Sequence, residues 1–153
     1  MNFAEHKMGG VTSSIIIGVV SLVCGIDNNT IGMMVVSTFV FSLYPDTDIK
    51  SISSKVIYAM GIPFTVYVML NSVTLGMILL LILLLPQLCK HRGFIHSLVG
   101  CVMISFLWGY LISSLEIVKC VYTFNNTEVN VIGVAACVGY ITHLLLDWEF
   151  KIV

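Results

Sequence analysis

Charge is scarce in this chain. Asp, Glu, Lys and Arg make up 10% of its 153 residues, against roughly a quarter in an ordinary soluble domain. Seven basic and eight acidic side chains leave a net charge of −1, so there is no basic surface for DNA or RNA and no nucleic-acid partner is expected. Proline is limited to three residues. No low-complexity linker or internal repeat divides the sequence, so residues 1–153 read as one domain. The five cysteines, Cys24, Cys89, Cys101, Cys120 and Cys137, are scattered and include no CxxC. That spacing indicates neither a thiolate zinc site nor a redox pair, and small apolar packing residues are the plain reading. What the chain does have is apolar residues, at 58% with a mean hydropathy of +1.03. A soluble domain of this size still exposes roughly 30% of its unfolded-chain surface and could not hide so many. The expected class is all-α: a polytopic membrane bundle of about four to six apolar helices.

Apolar runs fall at residues 9–26, 31–44, 56–88, 94–115 and 131–146. The opening MNFAEHKMGG lacks the pattern of a cleaved signal peptide, so the first span is expected to be retained. Residues 31–44 are short for a span of ~20 residues. Residues 56–88 are long for one, and Asn71-Ser72 is their most polar point. Residues 116–130 read as a loop. Lys7, Lys50, Lys55, Lys90, Arg92 and Lys151 flank one set of span ends, and Lys119 alone lies in the other. The positive-inside rule then places both termini, the 46–55 segment and the 89–93 segment in the cytoplasm. That needs an even number of crossings between Lys55 and Lys90, so residues 56–88 are expected to form a hairpin. The localisation expected is a cell membrane, multi-pass, with lipid as the surrounding partner. Oligomeric state has no signature.

The polar residues are unevenly placed. The four histidines, His6, His91, His96 and His143, and three of the four aspartates, Asp46, Asp48 and Asp147, all fall at the expected cytoplasmic span ends. Ionisable groups at membrane depth are costly and mark function. His143 and Asp147 are i and i+4, on one helix face. They suit two ligands of one metal or, equally, a His–Asp hydrogen bond. Asp46 and Asp48 would face one side in an extended segment, or form an ordinary cap or turn. His91 and His96 converge if His91 precedes a helix and His96 lies within it, with Gly93 permitting the start. Lys90 and Arg92 also read as interfacial anchors. Together, four imidazoles and three carboxylates match the ligand set of zinc, manganese or iron, zinc first, and exceed one tetrahedral site, so there is material for two ions sharing a carboxylate. No GxSxG or GxxxxGK[ST] motif points to a serine hydrolase or an ATPase.

Four blocks carry a resemblance: Glu5-His6, YPDTDIKSISSK at 44–55, HRGFIHS at 91–97 and GYITHLLLD at 139–147. In this order they resemble the YdjM-type family of membrane-bound, metal-dependent hydrolases. The family pattern often has Thr where Ile95 stands and His-Pro where Ile49-Lys50 stands. The resemblance implies a helical membrane hydrolase whose divalent-metal centre uses His6, Asp46, Asp48, His91, His96, His143 and Asp147. Its substrate would be a phosphoester or lipid, attacked by a metal-activated water at the cytoplasmic membrane face. Asp48 and Asp147 are then the candidate base or orienting carboxylates, and Arg92 the candidate clamp on a phosphate oxygen. Two other readings use the same cluster: a small metal-ion or proton transporter, and a non-catalytic membrane scaffold.

Overall fold

The structure, a computed structural model, describes residues 3–48, 52–89, 93–115 and 125–147, with the side chains of residues 3–6 and 48 outside that description. The described residues contain six α-helices and no strand: α1 (Phe3–Val23), α2 (Asn28–Leu43), α3 (Ile52–Asn71), α4 (Val73–Leu88), α5 (Leu98–Ser114) and α6 (Asn126–Leu146). Short 3-10 turns at Tyr44–Asp48 and Phe94–His96 join this all-α fold.

Local chemistry fixes the helix ends. Asp27 Oδ1 accepts the backbone N–H groups of Asn29 and Thr30 and starts α2. Ser72 caps α4 and Ser97 caps α5 in the same way. At α6 the Asn125 side chain accepts from Glu128 N, and the Glu128 carboxylate accepts from Asn125 N. This reciprocal capping box starts the helix at Asn126. The loop expected over residues 116–130 is corrected there: its last residues, 126–130, are the first helical turn.

The long apolar stretch does break at Asn71-Ser72. Ser72 leaves the helical region, with φ −150° and ψ 105°, and the chain doubles back. The Tyr58 hydroxyl donates to the Leu83 carbonyl at 3.2 Å, Gly61 lies against Leu83, and Met69 lies against Gly76. These pairs run in opposite senses along the two helices, so α3 and α4 form an antiparallel hairpin.

Helix α6 is the axis of the rest, packing against α1, α2 and α5. It runs parallel to α2, since Thr38 meets Gly139 and Ser42 meets His143. It runs antiparallel to α5, where Gly109 meets Gly133. Two glycines are required by these crossings. A Cβ at Gly139 would collide with the Thr38 carbonyl, and one at Gly109 would sit 2.7 Å from the Val129 carbonyl oxygen. Close backbone approach through small residues is how helices associate in lipid. The Thr38 hydroxyl, 3.0 Å from the Ala135 carbonyl, and Trp108 Nε1, 2.9 Å from Ser37 Oγ, add interhelical hydrogen bonds.

The resulting surface is inverted relative to a soluble protein. Ile15, Leu22, Met60, Leu70, Met103 and Tyr110 are each at least 60% exposed, while Ser13, Ser37, Thr38, Ser42 and Ser105 are buried. Two helices, Ile52–Asn71 and Asn126–Leu146, are long and apolar enough to cross a membrane. The start of α1, the end of α2, the start of α3, the ends of α4 and α6 and the turn before α5 share one end of the bundle. Gly10 touches Ser42 there, Gly9 touches Leu146, and Tyr58 reaches Thr47.

Candidate metal centre

Three segments meet at that end. The turn after α2 brings Asp46, the turn before α5 brings His96, and the last turn of α6 brings His143 and Asp147. Each segment is fastened by a tyrosine or hydroxyl rather than by apolar packing alone.

Of the two forms open to the Asp46 segment, extended or turn, it takes the turn, as a 3-10 helix. A residue preceding proline is normally pushed out of the helical region, yet Tyr44 holds φ −60° and ψ −43° before Pro45. Its side chain gives the reason. Pro86 lacks an N–H, so the Ile82 carbonyl in α4 loses its helical donor. The Tyr44 hydroxyl, almost wholly buried, donates to that carbonyl at 2.5 Å. Thr47 Oγ1 then donates back to the Tyr44 carbonyl at 2.7 Å and tightens the turn.

The condition set for His91 and His96 to converge placed His96 inside a helix; His96 instead ends the short turn ahead of α5. Ser97 donates to the Phe94 carbonyl while accepting from Gly100 N, so one hydroxyl closes the turn and opens the helix. The Tyr140 hydroxyl in α6 donates to the Ile95 carbonyl and ties this turn to the helix that carries His143.

The centre of the group is His143, fully buried. Its Nδ1 lies 3.0 Å from the Ser42 carbonyl oxygen. A carbonyl only accepts, so Nδ1 carries a proton, and Nε2, on the other side of the ring, is the nitrogen left to take a metal. Nε2 faces Asp147 Oδ2 at 3.4 Å and Asp46 Oδ1 at 3.5 Å. Those distances are longer than an ordinary N–H···O hydrogen bond of ~2.7–3.2 Å. They match the ~3.3–3.4 Å edge of a tetrahedron built on metal–ligand bonds of ~2.0–2.1 Å. The His96 ring, 1% exposed, lies with its centroid 5.7 Å from that of His143. One ligand atom from each of Asp46, His96, His143 and Asp147 falls within 4.8 Å of all the others. Two imidazoles and two carboxylates are a donor set for a borderline divalent ion, and its charge matches the two carboxylates. This His/Asp group fits a metal ion.

The family model for the YdjM inner membrane protein matches residues 1–151. The chain belongs to this family. No curated protein and no solved structure matches it. Membership in the YdjM family agrees with the inverted surface and the two spanning-length helices.

Four of the seven metal-ligand candidates read from the sequence are thus brought together. The side chains of His6 and Asp48, and His91 with Arg92, lie outside the described residues. Sequence reasoning missed Ser42, Tyr44 and Tyr140. Ser42 acts through its backbone carbonyl, which leaves no trace in residue type. The two tyrosines stand inside the quoted blocks, as the first residue of YPDTD and the second of GYITH.

Proposed function

We propose that this chain is a membrane-bound, metal-dependent hydrolase of a phosphoester, lipid-type substrate, working at the cytoplasmic face of a multi-pass bundle with both termini on that side. The observation that carries this reading is His143, whose tautomer is set by the Ser42 carbonyl and whose Nε2 faces two carboxylates at tetrahedral-edge distances. Asp46, His96, His143 and Asp147 would hold the ion, with zinc assigned first and manganese or iron accepting the same donors. His6, Asp48 and His91 supply the ligands for a second ion sharing a carboxylate. A bound cation supplies Lewis acidity toward water and a phosphoryl oxygen. The chain's own groups do the rest. Asp147, at the end of α6 with 14% of its side chain exposed, or Asp48 receives the proton from water, and Arg92 holds a phosphate oxygen through its guanidinium fork.

Placement favours this over a transporter. A translocation site lies near the bilayer midplane between broken helices. Here Asp46, His96 and Asp147 sit at helix ends, which supports a site at the membrane edge, within reach of a lipid's ester groups.

The test is elemental analysis of detergent-purified protein, followed by phosphate or headgroup release from phospholipid vesicles with and without chelator. Bound divalent metal and chelator-sensitive release are expected. Metal-free protein that hydrolyses at full rate would overturn the proposal.

A further inference from the structure

Helices α5 and α6 also bring two thiols together. Cys101 Sγ and Cys137 Sγ lie 3.3 Å apart, and Cys101 Sγ is 3.7 Å from the Cys137 carbonyl oxygen. Cys101 is fully buried and Cys137 half-buried. The buried Ser105 hydroxyl adjoins both sulfurs, and the apolar core packs around the rest of the pair. The two residues stand 36 positions apart, which no sequence motif reveals. A disulfide needs the sulfurs at ~2.05 Å, a closure of about 1.2 Å that side-chain rotation and a small helix shift can supply.

We infer that Cys101 and Cys137 form an oxidisable dithiol, a modification site at which a small peroxide-class oxidant converts two thiols into a disulfide bridging α5 and α6. The inference does not rest on the hydrolase reading. Cys137, the less buried sulfur, attacks the peroxide O–O bond, giving a sulfenic acid and one water. The Cys101 sulfur then displaces the sulfenic oxygen as a second water. Two S–H bonds and one O–O bond are lost, one S–S bond forms, and the two electrons leaving sulfur reduce the peroxide. The bridge would fix the α5–α6 spacing close to where His96 meets His143.

The experiment is to treat the detergent-purified full chain with hydrogen peroxide, denature it, alkylate with a maleimide and map the peptides. Two of the five thiols should be lost. A linked peptide pair containing Cys101 and Cys137 should appear and should vanish on reduction. Cys137→Ser should leave Cys101 alkylatable after the same treatment. A variant with Cys24, Cys89 and Cys120 replaced by serine isolates the pair, and if it does not purify, the wild-type peptide map decides. Five alkylatable thiols after oxidation, or bridges among other cysteines with Cys101 and Cys137 still free, would overturn the inference.

Discussion

His143 is held by Nδ1 and turns Nε2 toward two carboxylates, where the proposed metal would bind. Replacing it with alanine removes the central donor, and Asp147→Ala removes a donor one helical turn away. Each variant should insert and fold yet lose bound metal on elemental analysis; full metal occupancy and activity in both would remove the site as drawn. Tyr140→Phe is a subtler test. It deletes one hydroxyl and keeps the ring in the core, so the turn carrying His96 loses its tie to α6. Losses of such supporting groups typically cost ~10–100-fold in metal affinity or activity, readable by chelator competition. Asp27→Ala should behave oppositely. Asp27 caps α2, at the end of the bundle away from the cluster, so its loss should cost about 1 kcal/mol of stability and leave metal content unchanged. Arg92→Ala should likewise keep its metal, because guanidinium does not ligate a cation, while weakening handling of an anionic substrate.

Among the elements, Pro86 of α4 and the turn after α2 are one device. Pro86 removes the donor for the Ile82 carbonyl and Tyr44 supplies a replacement. Tyr44→Phe should therefore destabilise the protein by ~1–3 kcal/mol, the cost of a buried unsatisfied carbonyl. Pro86→Ala restores an N–H at position 86 and should make Tyr44→Phe much less costly. A double-mutant cycle by denaturant unfolding in detergent reads this coupling, and additive effects would mean that Tyr44 does not replace the proline's missing bond. The same pair shows where sequence reading stops. The hairpin break and the turn between α1 and α2 were legible because Asn71-Ser72 and Asp27 act on their own neighbours, whereas the run read from Phe94 becomes helix only at Leu98, after the Ser97 cap. The 3-10 form of YPDTD was not legible, because it depends on Ile82, 38 residues away. The start of α6 was missed for another reason. Asn125 and Glu128 are polar and read as loop by hydropathy, although their spacing is that of a capping box.

At the scale of the whole molecule, composition announced the membrane class, and the helix ends carry the site. The His/Asp meeting point was visible as a pattern because polar residues are rare enough in this chain for their placement to be read. Its geometry was not, since it depends on the crossing of α2, α5 and α6 through Thr38, Gly109 and Gly139. The bundle also makes a demand on topology. The ends of the α3–α4 hairpin lie beside the Asp46 turn, and its tip at Asn71 lies at the other end, with the exposed Cys24 after α1. On the proposed orientation the Asp46 end faces the cytoplasm. Ile52 and Gln87 are exposed, so Ile52→Cys and Gln87→Cys, each in a background without the native cysteines, should react with a membrane-impermeant maleimide only when the cytoplasmic face is opened. Asn71→Cys and the native Cys24 should react from the opposite face in intact cells. Labelling of positions 52 and 87 from different faces would mean that residues 56–88 cross once, and the second half of the bundle, with His96, His143 and Asp147, would then stand on the wrong side of the membrane from Asp46.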